Sequence, residues 1–286
     1  MPLPRPRAGR VDTSAIPADA ARSAGDSSDG GADLERRFGG LRRLYGDAGY
    51  ARIRAARIAV VGVGGVGSWA AEALARCGVA ALTLIDLDHV SESNVNRQVQ
   101  AVGATLGQAK VIALRERIAD IHPGCEVQCI EEFADETNWP ALLVEPVHAV
   151  IDACDQLRAK EAIASTALRA GTLLIAAGAA GGKRRPQDVR VDDLSTVTHD
   201  PLLAALRQRL RKQHGAAREG SIGVRCVYSR EAVHRPAGDA PVEGNLNCAG
   251  YGSAVTVTAT FGMVAASATL ESLLGAPHPA GDRRTL

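Results

Sequence analysis

The chain has 286 residues, a length that suits one large α/β domain with appendages better than two complete domains. With 46% hydrophobic residues, 23% charged residues and 30 glycines it can bury a real core, which excludes collagen, a disulfide scaffold and wholesale disorder. Lys plus Arg (33) nearly balance Asp plus Glu (32), so at a formal charge of +1 any polyanion must be met by a local basic patch and not by a global field.

Residues 1–32 are mostly Ala, Ser, Pro, Asp, Gly and Arg, too poor in large apolar side chains to offset their chain entropy, and are expected to form a disordered tail. Arg5, Arg7 and Arg10 suggest a transit peptide, but Asp12, Asp19, Asp26 and Asp29 argue against one. Six scattered cysteines without a leading apolar segment predict free thiols and a reducing, cytoplasmic setting. From Arg57 short apolar runs alternate with helical stretches. Strands are predicted at 58–61, 81–85, 127–130, 149–151 and 173–177, with helices at 66–77, 108–121 and 158–170. Alternation of this kind calls for a Rossmann-like, doubly wound, mostly parallel sheet covered on both faces.

Beyond 180 the alternation weakens into an α+β extension, 181–274, attached to a nucleotide core at about 55–180. It holds strands at 189–191 and 224–228, and a helix opened by Asp200-Pro201 and running to about His214, where Asp caps and Pro takes the first helical position. Residues 244–270 carry no charge; four glycines and six Ser or Thr favour a helix buried on the sheet over a membrane span, with membrane association kept as a second reading. Residues 275–286 are expected to be a flexible tail.

The strongest chemical signal is Val60-Val61-Gly62-Val63-Gly64-Gly65-Val66-Gly67-Ser68, a glycine turn between strand and helix. Gly62, Gly64, Gly65 and Gly67 permit a tight turn whose N–H groups approach phosphate or ribose oxygens, and Asp86, about 20 residues on, suits ribose hydroxyls. A dinucleotide's pyrophosphate is largely satisfied by such a turn. A triphosphate needs cationic clamps and a metal-binding carboxylate. Arg97 and Lys110 fit the clamp, Asp155 fits a magnesium ligand, and Asp152 is a second candidate for it.

Together with Asp86-x-Asp88, Ser93-Asn94-x-x-Arg97-Gln98, Gly107-x-x-Lys110 and Asp152-x-x-Asp155, the glycine turn resembles the adenylating superfamily of ubiquitin-activating enzymes and of the adenylyltransferases for thiamine and molybdopterin sulfur carriers. Within that superfamily, four further runs resemble the tRNA threonylcarbamoyladenosine dehydratases, over about residues 34–274. They are Arg37-Phe38-Gly39-Gly40 with Arg43-Leu44-Tyr45-Gly46, Gly67 to Arg76, Asp200-Pro201-Leu202 and Asn247-Cys248-Ala249-Gly250.

The resemblance implies an ATP- and Mg2+-dependent enzyme that dehydrates and cyclises threonylcarbamoyladenosine in tRNA through an acyl-adenylate. It also implies a homodimer, and site roles follow residue by residue. Gly64 with its neighbours and Asp86 would hold adenosine; Asn94, Arg97 and Lys110 the phosphates; Asp155 magnesium. Asp88 joins the nucleotide-binding set, and Arg43 in preference to Arg37 would reach the partner subunit's ATP. Two Cys-x-x-Cys zinc pairs of the sulfur-carrier relatives have no counterpart, and Cys125 and Cys129 read as inert thiols beside a core strand.

Lys183, Arg184 and Arg185, then Arg207, Arg209, Arg211 and Lys212, form candidate tRNA clusters. Cys226 and Cys248 are candidate sulfur acceptors for a cysteine desulfurase partner. Two rival functions remain at this point. One is activation of a sulfur carrier's C-terminus; the other is a nicotinamide oxidoreductase or inactive nucleotide scaffold.

Overall fold

The computed structural model describes residues 32–234 and 251–275. Nearly all of the predicted N-terminal tail, the Asn247–Gly250 run with Cys248, and most of the C-terminal tail lie outside the described residues. One sheet runs β3-β2-β1-β4-β5-β7-β6. Its strands are β1 (Arg57–Val61), β2 (Ala81–Ile85), β3 (Glu126–Ile130), β4 (Ala149–Asp152), β5 (Leu173–Ala177), β6 (Val189–Asp193) and β7 (Arg225–Ser229). All neighbours pair in parallel except β6, which runs antiparallel to β7 at the edge. The strand order reverses between β1 and β4, so a crevice opens outside their carboxyl ends.

The helices are α1 (Leu34–Phe38), α2 (Gly40–Ala55), α3 (Gly67–Arg76), α4 (Lys110–Ile121), α5 (Leu157–Ala170), α6 (Pro201–Gln213) and α7 (Val255–Leu273). Leu74, Leu114, Ile118 and Phe261 of α3, α4 and α7 pack on one face of the sheet. Ile163, Leu203, Leu206 and Leu210 of α5 and α6 pack on the other. Burial on both faces explains why the inner strands read as continuous apolar runs. From Val255 the uncharged stretch lies in the buried helix the sequence favoured, which runs on to Leu273, and no helix among the described residues is long and apolar enough to cross a membrane. Gly262 lets α7 lie directly on α3, because a Cβ there would stand 2.5 Å from the Val66 carbonyl oxygen.

Two differences from the sequence reading have plain causes. Helices α1 and α2 carry no broad apolar stripe, since only Phe38, Tyr50 and Ile53 are buried and Gly46 breaks the helical backbone at φ 70°. Strand β3, read as a core strand, is the sheet edge, so Cys125 and Cys129 are half-buried. Burial nevertheless pushes the Cys125 thiol up to about 12, which keeps it protonated and inert.

The β6–α6 connection is organised by Asp193, which accepts from the N–H groups of Ser195 (2.9 Å), Ile222 and Gly223 (both 2.8 Å) and from the Ser221 hydroxyl at 2.7 Å. Partial burial works against its charge, but these donors outweigh it and hold its pKa down at about 2. A depressed carboxylate contributes stability that is complete above its unfolded pKa of about 4 and is lost as pH falls through the folded value. The urea midpoint of the wild type is therefore expected to exceed that of Asp193→Asn at pH 7 and to converge on it between pH 4 and 2. A gap that stays constant through that window contradicts the assignment.

Candidate functional site

The turn after β1 folds back on itself more tightly than any side chain would allow. Gly62 has φ 81°, and a Cβ on it would sit 3.0 Å from the Ala153 carbonyl oxygen and the Cys154 nitrogen; one on Gly67 would sit 1.8 Å from the Gly62 oxygen. Gly62, Gly64 and Gly65 line a cavity of about 510 Å³ at the switch point. Gly67 is buried beneath the turn, which it closes and on which α3 begins. Gln100 supports the turn from below, donating to the Val63 carbonyl at 2.9 Å.

Asp86, at the end of β2, is buried and accepts from Val63 N–H at 2.8 Å and Asp88 N–H at 2.9 Å, so it ties the glycine turn to the next loop while keeping lone pairs for a ribose. Burial raises its pKa, with Lys110 pulling the other way. Lys110 is itself buried at the start of α4, its Nζ 2.7 Å from Asp88 Oδ2 and 4.0 Å from Asp86 Oδ1. Asn94 accepts from Ser91 N–H at 3.1 Å, and its amide N–H groups have no partner among the described residues. Arg97 is held beside it: its guanidinium donates to the Ser93 carbonyl and to Asn96 Oδ1, and its own carbonyl accepts from Trp69 Nε1 at 3.0 Å. Asp86, Asp88, Asn94, Arg97 and Lys110 all line the same cavity.

Asp155 lies exposed on the cavity wall just past β4. Asp152 does not serve as a second ligand there. It is fully buried, with Oδ2 3.0 Å from Lys160 Nζ and Oδ1 accepting from Cys154 N–H at 3.2 Å. Burial opposes the Lys160 ammonium, but the Asp152 carboxylate outweighs it and holds the Lys160 pKa above its ordinary value. The sequence reading missed this pair, although a lysine among Ala159, Ile163, Ala164 and Ala167 on the buried face of α5 was a visible signal. It also missed Gln98 and Thr258 as lining residues, and Phe133, which lines the cavity with its side chain half exposed.

Three arginines of the basic helix are tied to other parts of the protein. Arg207 donates to the carbonyls of Leu194 (3.0 Å) and Val197 (2.8 Å), Arg209 pairs with Glu161 at 2.8 Å, and Arg211 donates to the Ala217 carbonyl at 3.0 Å. Arg209 and Arg211 nevertheless stay partly exposed on α6, next to the exposed Lys212. Cys226 is buried in β7 at 0% exposure, which corrects its candidacy as a sulfur acceptor, since no partner can reach it. Of the two arginines before β1, Arg37 caps α4 through the carbonyls of Asp120 (2.8 Å) and Ile121 (2.6 Å), whereas Arg43 is exposed and has no partner among the described residues.

This arrangement meets comparison with known proteins. The model of the ThiF family matches residues 38–286. The tRNA threonylcarbamoyladenosine dehydratase of Escherichia coli K12 is 42% identical over 84% of this chain and 94% of its own. The chain belongs to the ThiF family, in its tRNA threonylcarbamoyladenosine dehydratase branch. That of Bacillus subtilis is 38% identical over 65% of this chain and 72% of its own. The crystal structure of the E. coli tRNA N6-threonylcarbamoyladenosine dehydratase in complex with ATP superposes with a TM-score of 0.78 at 41% identity, covering 85% of this chain and 96% of that one. Likeness to another ThiF-type enzyme is shorter: the E. coli molybdopterin-synthase adenylyltransferase is 32% identical over 46% of this chain and 52% of its own.

Proposed function

We infer that this ThiF-family chain is an ATP-dependent tRNA threonylcarbamoyladenosine dehydratase, and that it works in the cytoplasm as a homodimer. The observation that carries the reading is the convergence of one nucleotide-binding turn, a ribose-type carboxylate and two cations on a single cavity, in a chain 42% identical to a named dehydratase over most of both lengths. Activation of a sulfur carrier is the lesser reading, because the likeness to that class is weaker: 25% identity over 81% of this chain to an adenylyltransferase and sulfurtransferase and 32% over 46% to the molybdopterin-synthase enzyme, against 42% over 84% for the dehydratase.

Dehydration needs a leaving group better than oxide. The threonyl carboxylate attacks the α-phosphorus of ATP, forming a C–O–P bond as pyrophosphate departs. An internal amide atom then attacks the acyl carbon, the acyl–oxygen bond breaks, and AMP leaves with the former carboxylate oxygen, so the nucleoside loses one water and one proton is released. No enzyme thiol takes part. Asp86 holds the ribose and orients the α-phosphorus, while Asn94, Arg97 and Lys110 stabilise charge growing on the phosphate oxygens. The donor set also fits magnesium: Asp155 is one exposed hard oxygen ligand, and that ion commonly takes one or two carboxylates and completes its shell with phosphates and water. When bound there it would supply Lewis-acid neutralisation of the phosphates.

Substrate-dependent exchange of labelled pyrophosphate into ATP tests the adenylation; absence of exchange with substrate tRNA present contradicts it. Arg43 does not line the cavity of its own chain, consistent with action across a dimer. Mixing Arg43→Ala with Asp155→Ala subunits, each inactive alone, is expected to restore about a quarter of wild-type activity by forming one complete site per mixed dimer. No recovery counts against action in trans.

A further inference from the structure

A second cavity, of about 270 Å³, is lined by Gly182, Lys183, Arg184, His234, Tyr251 and Ser253. Resting on the dehydratase reading, we propose that it takes a backbone phosphodiester of the tRNA strand next to the modified adenosine. The two cavities are lined by neighbouring stretches of the chain. Ala180 and Thr258 line the nucleotide cavity, and Gly182 and Ala254, two and four residues away, line the second. Asn96, next to Arg97, donates from Nδ2 to the Ser253 carbonyl at 2.9 Å, so the loop assigned to the phosphates of ATP is tied to the rim of the second cavity. This placement matters because the carboxylate to be activated hangs by a short linker from a nucleotide of a long polymer. While that carboxylate meets the α-phosphorus, the flanking backbone must pass close beside the nucleotide cavity.

The lining suits a phosphodiester. Glu231 lies under the 183–185 turn and has its carboxylate occupied by the N–H groups of Arg184 and Arg185, both at 2.9 Å, and by His234 Nε2 at 2.8 Å. Lys183 is anchored from behind by the carbonyls of His199 (3.2 Å) and Glu231, with the Asp200 and Glu231 carboxylates nearby. The Arg184 guanidinium is exposed and, like the hydroxyls of Tyr251 and Ser253, has no partner among the described residues. The rim therefore offers one free cation, Arg184, and two hydroxyls beside an aromatic ring, with Lys183 buried beneath them as support, a combination matched to a phosphate with its ribose or a neighbouring base.

The test uses the full-length protein, ATP and tRNA carrying threonylcarbamoyladenosine. Arg184→Glu is expected to raise the KM for tRNA by about tenfold or more, with kcat at saturating tRNA and the Kd for ATP measured without tRNA both within about twofold of wild type. Arg184→Lys keeps the charge and is expected to stay within about threefold of wild-type KM, while Arg184→Ala lowers the salt slope of tRNA binding by about 0.7–0.9, one phosphate contact. An unchanged KM and salt slope overturn the proposal and assign the cavity to some other anion. Equal losses in tRNA and ATP binding overturn it too, by placing Arg184 in the nucleotide site or the fold. A wild type inactive on this tRNA would instead overturn the dehydratase reading itself.

Discussion

Lys110→Ala is expected to lower substrate-dependent pyrophosphate exchange by about 10²–10³-fold, the usual cost of deleting one preorganised group that stabilises developing charge. Lys110 is the buried cation of the cavity, fixed between Asp86 and Asp88 before any nucleotide arrives, so its charge is placed without reorganisation during reaction. The fold is expected to survive the change. Asp88 is exposed, and Asp86 retains its bonds from Val63 and Asp88 N–H. Exchange kinetics beside a thermal melt separate the two effects: a folded variant with full exchange would remove Lys110 from the chemistry.

The largest stability effect is expected at Lys160. Both Lys160 and Asp152 have 0% side-chain exposure, and Lys160→Met leaves a buried carboxylate without its cation, at a cost of about 3–5 kcal/mol. Pairing Lys160→Met with Asp152→Leu removes the stranded charge and is expected to recover most of that loss, since well-packed apolar replacements of buried ion pairs are often neutral. Urea midpoints of wild type, single and double variants measure this. A single variant within about 1 kcal/mol of wild type, or a double no better than the single, refutes the view that the pair holds β4 in place. The pair also bears on function, because Asp152 bonds the Cys154 N–H and so fixes the start of the segment that carries Asp155 to the cavity.

The parallel core was legible because burial on both faces leaves a local signature: the strands at 81–85 and 173–177 have the bounds the sequence suggested, and β6 and β7 differ by one or two residues. Helices α1 and α2 were not, since they bury only Phe38, Tyr50 and Ile53, and Phe38 packs against His122 and Gly78, a long-range contact that leaves no periodic trace in the chain itself. At the site, residue type and position after a strand brought Asp86, Arg97, Lys110 and Asp155 to one cavity. What sequence does not encode locally is whether a charge faces inward. Asp152 and Asp155 are three residues apart, yet one faces Lys160 in the core and the other solvent. Likewise Arg207, read as part of a basic face, is fastened to the carbonyls of Leu194 and Val197, acceptors that its own helix does not reveal.

The most direct measurement is mass spectrometry of nucleosides from threonylcarbamoyladenosine-bearing tRNA incubated with the purified protein, ATP and magnesium, with the nucleotide products quantified in the same samples. A nucleoside lighter by one water is expected, formed only with ATP and matched one to one by AMP and pyrophosphate. Unchanged threonylcarbamoyladenosine, or dehydration accompanied by ADP and phosphate, would contradict it.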